Sequence, residues 1–147
     1  MDHEALTRTV IGCAMRVHSV LGPGFLESVY QNALMVELRG VGLRFLGGRA
    51  LRVHYRGEVV GDFVADVVVD GRLLVENKAV RALNAAHDAQ LVNYLVATGI
   101  DVGLLLNFGA DRLQFRRRVR GPAPSDQPGR AGAAAPPIRS DDNLMKI

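Results

Sequence analysis

The stretch that most constrains this chain is VADVVVDGRLLVENKAV, residues 64 to 80. Two apolar runs flank Asp70 and Gly71, a pair suited to a tight turn between strands. A hairpin this apolar belongs inside a sheet. Yet it carries Asp66, Glu76 and Lys78, charges that a buried strand excludes unless they are paired.

Side chains alternate faces along a strand, so Glu76 and Lys78 lie side by side on one face. Whether Asp66 joins them depends on the turn. A strict two-residue turn at 70–71 sets 69 against 72 and 66 against 75, which puts Asp66 and Glu76 on opposite faces. A three-residue loop over 70–72, or a bulge nearby, sets 66 against 76 and brings the three charges together. The second arrangement is expected, because an isolated Asp66 facing an apolar layer is costly to bury.

The rest of the chain supplies partners for that hairpin. Residues 3–20 repeat apolar positions at helical spacing, LGPG at 21–24 breaks the helix, and a second helix is expected over 25–39, stopping at Gly40 and Gly42. From about 43 the period becomes two. Residues 49–57, 58–69 and 72–80 read as a meander of strands. Residues 79–99 read as a helix closing at Gly99, VGLLLNFG at 102–109 as a strand buried on both faces, and RLQFRRRV at 112–119 as a final, half-exposed edge strand. The economical fold is α/β, one mixed sheet flanked by helices. Residues 1–120 form one domain of ordinary size. From 121 to 147 the composition turns to Gly, Pro, Ala and Ser without apolar periodicity, so a disordered tail is expected.

Composition excludes several classes. Hydrophobic content of 48% with 22% charged residues is globular. No apolar run approaches the ~18–20 residues of a membrane helix, and from the N-terminal composition no signal peptide is expected. The single cysteine, Cys13, forms no internal disulfide and has no metal-spaced neighbours, so a buried thiol in a cytoplasmic protein is expected. A net charge of +3 permits an anionic partner, with basic residues concentrated at 112–120. Of 18 basic residues only Lys78 and Lys146 are lysines. Lys78 is thus the single lysine of the expected domain, and lysine differs from arginine wherever shape or proton transfer matters.

Two carboxylates a few ångströms apart repel unless a cation lies between them. Hard oxygen ligands suit Mg²⁺ or Mn²⁺. Such an ion acidifies water, and an adjacent lysine can position that water or neutralise charge developing on a phosphate. Asp66, Glu76 and Lys78 therefore fit metal-assisted phosphodiester hydrolysis. A structural ion-pair cluster at a sheet margin fits the same pattern, and the residues alone leave both open. Glu27 lies on the margin of the second helix's apolar side, where an acid can point at the sheet or at solvent. His87, Gln90 and Tyr94 fall at i, i+3 and i+7, on one helix face. Gln90 and Tyr94 there can hydrogen-bond a phosphate, a base or a catalytic carboxylate, or Tyr94 can simply be core.

GPGFLESVYQNAL, with Gly24, Glu27 and Tyr30 at matching spacing, resembles the signature of the GxxExxY protein family. GDFVADVVVDGRLLVENKAV, HDAQLVNYLVATG and GLLLNFG resemble that family in the same order, so the likeness runs from about residue 5 to 120. The family is placed in the PD-(D/E)xK nuclease-like superfamily. The resemblance implies a restriction-endonuclease-like core of αβββαβ order, here with an extra N-terminal helix. It implies a divalent-metal-dependent nuclease acting on nucleic acid, DNA being the expected substrate. Asp66 would be the motif aspartate, Glu76 and Lys78 the ExK pair, and Glu27 the acid of the first core helix. Gln90 with Tyr94 resembles the QxxxY element of RecB-like nucleases. Glu27, Asp66, Glu76 and the main-chain carbonyl of Asn77 would hold Mg²⁺ or Mn²⁺, and the Asn77 side chain, where a hydrophobic residue is more usual, would face away. Alanine, not proline, precedes Asp66.

Two further readings stay open. The same scaffold can serve as a non-catalytic nucleic-acid-binding or regulatory module, with Arg116, Arg118 and Arg120 on the last strand contacting phosphates. It can also be a protein-interaction domain, with the exposed final strand offering an edge for a homodimer.

Overall fold

The computed structural model describes residues 1–121. The tail expected over 121–147 lies, from residue 122 onward, outside the described residues. The elements follow in the expected order: α1 (His3–Leu21), α2 (Glu27–Gly40), β1 (Phe45–Tyr55), β2 (Glu58–Val69), β3 (Leu73–Lys78), α3 (Ala85–Thr98), β4 (Val102–Asn107) and β5 (Gln114–Val119). They build a five-stranded sheet of order β1-β2-β3-β4-β5. β3 and β4 run parallel, joined by the α3 crossover, and the other neighbours are antiparallel. This is an α/β fold of the restriction-endonuclease-like kind.

Two apolar layers hold the sheet between helices. α1 and α2 cover one face: Leu6, Val10, Cys13, Val17, Tyr30, Leu34 and Leu38 pack on Val67, Val69, Leu73, Val75, Leu104 and Leu106. α3 covers the other, where Leu91 and Leu95 pack with Leu51, Phe63, Val68, Leu74 and Leu105. All six residues of β4 are buried, as its unbroken apolar run implies. α1 opens on Asp2, whose carboxylate accepts the Ala5 N–H at 2.7 Å.

The helix expected over 79–99 begins only at Ala85. Its Asn84 cap and His87 exchange hydrogen bonds, the Asn84 side chain accepting from the His87 N–H at 3.1 Å and His87 Nδ1 accepting from the Asn84 N–H at 3.2 Å. Residues 79–84 are drawn into a different network. Buried Asn107 accepts from the N–H of Val80 at 2.9 Å and of Gly109 at 3.0 Å, and donates to Val80 C=O and to Gln114 Oε1, both at 2.9 Å. Gln114 Oε1 also accepts the Leu83 N–H at 3.3 Å. Alanine-rich composition favours helix here, but the backbone groups it needs are already engaged across the sheet.

No described helix is long and apolar enough to cross a membrane.

Candidate active site

The β2–β3 turn resolves the register question. Asp70 and Gly71 both take left-handed backbone, with φ of 53° and 66°, and the Arg72 N–H closes the turn on Val69 C=O at 3.0 Å. By its hydrogen bond it is a two-residue turn. The strands nonetheless pair Val69 with Leu73, Val68 with Leu74 and Val67 with Val75, so Arg72 is one extra residue and the loop spans 70–72. Continued one step, that register sets Asp66 opposite Glu76, as required for the two to meet.

Asp66 itself, inside β2, has no Cα partner in the register of either ladder. Pairing with β1 skips from Arg49–Ala65 to Gly47–Val67, and pairing with β3 ends at Val67. Phe63 and Ala65 pack under α3, whereas Val67 and Val69 pack under α1 and α2, so the alternation of β2 slips by one at Asp66. Gly48, opposite it, supplies a φ of 68° that lets β1 follow the kink. Asp66 is anchored by other partners. Its N–H donates to Glu76 Oε1 at 3.3 Å, its C=O accepts from Gln31 Nε2 at 3.1 Å, and its Oδ2 accepts the Asn77 N–H at 2.7 Å.

Glu76 and Lys78 project to the α3 side, two positions apart. Glu76 is 6% exposed. Burial first, then the negative charge of Asp66, pushes its carboxyl up to about 8. Burial also raises Asp66, opposed by the Asn77 N–H and by Lys78. Lys78 Nζ donates to Gln90 Oε1 at 3.3 Å and forms no salt bridge with any described acid. Tyr94, one turn along α3, stacks on Phe63 with centroids 4.0 Å apart and planes 3° apart. Its phenol is raised by burial, then by Glu76 and Asp66, which brings it into the field of both acids.

Glu27 opens α2 at the margin of this group. It is exposed as a residue, yet its carboxyl is raised by partial desolvation, then by Asp66, against the pull of Lys78. Its position is fixed by the loop before it. Tyr30, fully buried and stacked on Phe108, donates its hydroxyl to Gly22 C=O at 2.5 Å and accepts the Phe25 N–H at 3.1 Å. Gly24 takes a φ of 113° within that loop. The Gly24–Glu27–Tyr30 spacing thus has a physical basis: a glycine bends the loop, a tyrosine ties it down, and the acid follows.

Other expected residues sit differently. His87 caps α3. Arg116 and Arg118 turn toward α3 and both form ion pairs with Asp88, Arg118 at 2.9 Å. Arg120 pairs with Asp101 at 2.8 Å. The Asn77 side-chain amide is buried, with no hydrogen-bond partner among the described residues. Two site-shaping residues escaped the sequence reading, Gln31 and Asn107. Gln31 had a signal in its i+4 spacing from Glu27, and Asn107 in being the one polar residue of an apolar strand.

Among the described residues, no three His, Cys, Asp or Glu side chains are arranged to hold a metal ion as they stand. The compact part of the set is the Asp66–Glu76 pair. Each commits one carboxylate oxygen to a main-chain N–H, leaving Asp66 Oδ1 and Glu76 Oε2 without a hydrogen bond to any described residue. Two crowded, partly desolvated carboxylates with free hard-oxygen donors fit a divalent cation. A concavity of about 590 Å³ between α1 and α2, lined by Met15, Val20 and Val36, holds none of these residues.

A family model described as the PD-(D/E)XK nuclease superfamily matches residues 4–119. No curated protein and no solved structure matches the chain.

Proposed function

The chain belongs to the PD-(D/E)XK nuclease superfamily, and we propose that it is a divalent-metal-dependent nuclease hydrolysing phosphodiester bonds in nucleic acid, with DNA as the expected substrate. Within the superfamily we read it, from Gly24, Glu27 and Tyr30, as a GxxExxY protein. One observation supports catalysis over a structural ion-pair cluster. Asp66 and Glu76 crowd together while Lys78, the single lysine of the domain, pairs with neither and is held by Gln90. A stabilising cluster would close the lysine onto an acid, because an unpaired buried carboxylate destabilises the fold.

In this reading Asp66 Oδ1 and Glu76 Oε2, with Glu27 and the Asn77 carbonyl, would hold Mg²⁺ or Mn²⁺. The bound ion supplies Lewis-acid stabilisation of phosphodiester charge and an acidified water. Lys78, steered by Gln90 Oε1, orients the attacking water and sets positive charge beside the scissile phosphate. The Tyr94 phenol, kept protonated by its surroundings and fixed by the Phe63 stack, donates a hydrogen bond to the phosphate or to Glu76. Arg116 and Arg118 add positive potential beside α3, and a direct phosphate contact there has to displace Asp88. Buried, unbridged Cys13 is consistent with the cytoplasmic setting we propose.

The test is cleavage of single-stranded, duplex and branched DNA with Mg²⁺ or Mn²⁺, comparing wild type with Lys78→Ala. Metal-dependent cleavage that drops roughly 10²- to 10⁴-fold in the variant, with nucleic acid still bound, is expected. Equal rates overturn the role of Lys78. Salt-sensitive binding with neither cleavage nor metal dependence favours the non-catalytic module instead.

A further inference from the structure

A residue inside a sheet is normally held by its own ladder bonds. Asp66 falls at a gap in the register of both ladders, and two side chains reach its main chain. Glu76 takes the N–H and Gln31 takes the C=O, the latter at 3.1 Å. Gln31 stands four residues after Glu27, so one face of α2 presents both the acid and this donor. Met35, four further on, extends the same face. A Cβ built at Gly47, beside Asp66 in the neighbouring strand, would come within 2.6 Å of Met35 Sδ and 3.7 Å of the Asp66 carbonyl oxygen. A side chain at 47 would have to push the flexible end of Met35 aside, so glycine there lets Met35 lie against the kink.

The kink and the carboxylate's direction are linked. The slip of alternation at Asp66 lets its Oδ2 meet the Asn77 N–H while Val67 and Val69 stay in the α1–α2 layer. Without the Gln31 donor, the partly buried Asp66 carbonyl loses the hydrogen bond that ties it to α2, which favours its turning toward the strands. That rotation carries the side chain away from Glu76.

We infer that Gln31 is a positioning residue of the candidate site: its Nε2 clamps the Asp66 carbonyl and so sets the direction of the Asp66 carboxylate toward Glu76 and Asn77. The inference rests on the proposed function in taking Asp66 as the ligand aspartate.

Gln31→Met keeps length and volume but cannot donate, and Gln31→Glu keeps shape with an acceptor in place of the donor. Asn32→Ala, on an exposed position of the same turn, is the control. The first readout needs no metal. Exchange of the Asn77 amide in the metal-free protein is expected to accelerate about tenfold or more in both Gln31 variants and not in the control. The second is Mn²⁺ affinity by calorimetry, expected to weaken roughly ten- to a hundredfold, with kcat reduced and KM for DNA unchanged. Unchanged Asn77 exchange, or wild-type Mn²⁺ affinity in both variants, overturns the inference. If Gln31→Met does not fold, Gln31→Glu decides. A wild type that neither binds Mn²⁺ nor cleaves DNA defeats the proposed function, and the Asn77 exchange then decides the clamp alone.

Discussion

Glu76 is enclosed by β2, β3 and α3, and another carboxylate, Asp66, meets it through its own main-chain N–H at 3.3 Å. Its carboxyl is pushed up to about 8, from an ordinary value of 4.5. The folded protein therefore keeps a proton that the unfolded chain has released between those two values. Native protein binding more protons means that stability falls as pH rises across this window, the full penalty being present above about 8 and absent below about 4.5. Urea unfolding of metal-free protein should show that decline, on the order of a few kcal/mol. Glu76→Gln should flatten it and be the more stable form at pH 8.5; a steeper decline in the variant contradicts this account. At this scale the sequence was informative where one strand or one turn decided the matter. Lys78 stood out by rarity, and Asp66 by the arithmetic of an Asp-Gly loop. Gln31 shared a helix face with Glu27, but its partner, a main-chain carbonyl at the kink of β2, was not legible. Nor was the pairing of Arg116 and Arg118 with Asp88, which joins elements that only the tertiary fold brings together.

Helices and strands were legible to the extent that burial sets their period. α1, α2 and β4 carry apolar patterns that tertiary packing reinforces, and they fall close to where the pattern puts them. α3 starts late because Asn107 and Gln114, on β4 and β5, take hydrogen-bonding groups from residues 80 and 83. Asn107's place as the one polar residue of an apolar strand hints at a partner, but not at which backbone groups it takes. The consequence is functional, since this network sets the path from Lys78 to the helix that carries Gln90 and Tyr94. Asn107→Ala leaves several buried groups unsatisfied at once and should cost about 3 kcal/mol or more in chemical unfolding. Asn84→Ala, removing one cap, should cost about 1 kcal/mol. Equal losses would mean that the network adds nothing beyond a helix cap. β5 shows the opposite surprise. Its arginines 116 and 118 face α3, while Phe115 and Val119 are 44% and 57% exposed on the other side. Ion pairing outweighed the apolar alternation.

For the whole molecule, the sheet between two helical layers brings chemistry from four separate segments to one place. α2 contributes Glu27 and Gln31, the kink of β2 gives Asp66, β3 gives Glu76 and Lys78, and α3 gives Gln90 and Tyr94. The fold class follows from the order of periods along the chain, and the site follows from the fold plus one extra residue in a turn. The same scale bears on self-association. An antiparallel pairing of two β5 edges centred on Arg117 would set that arginine against its copy, whereas Arg116 and Arg118 are held by Asp88. The central claim is that Asp66 and Glu76 are crowded in order to hold a divalent ion. Anomalous diffraction from crystals soaked in Mn²⁺ tests it most directly. One manganese peak is expected within about 2.0–2.3 Å of Asp66 Oδ1 and Glu76 Oε2, absent in Asp66→Asn. No peak between the two carboxylates at saturating Mn²⁺, or one that persists in Asp66→Asn, would contradict it.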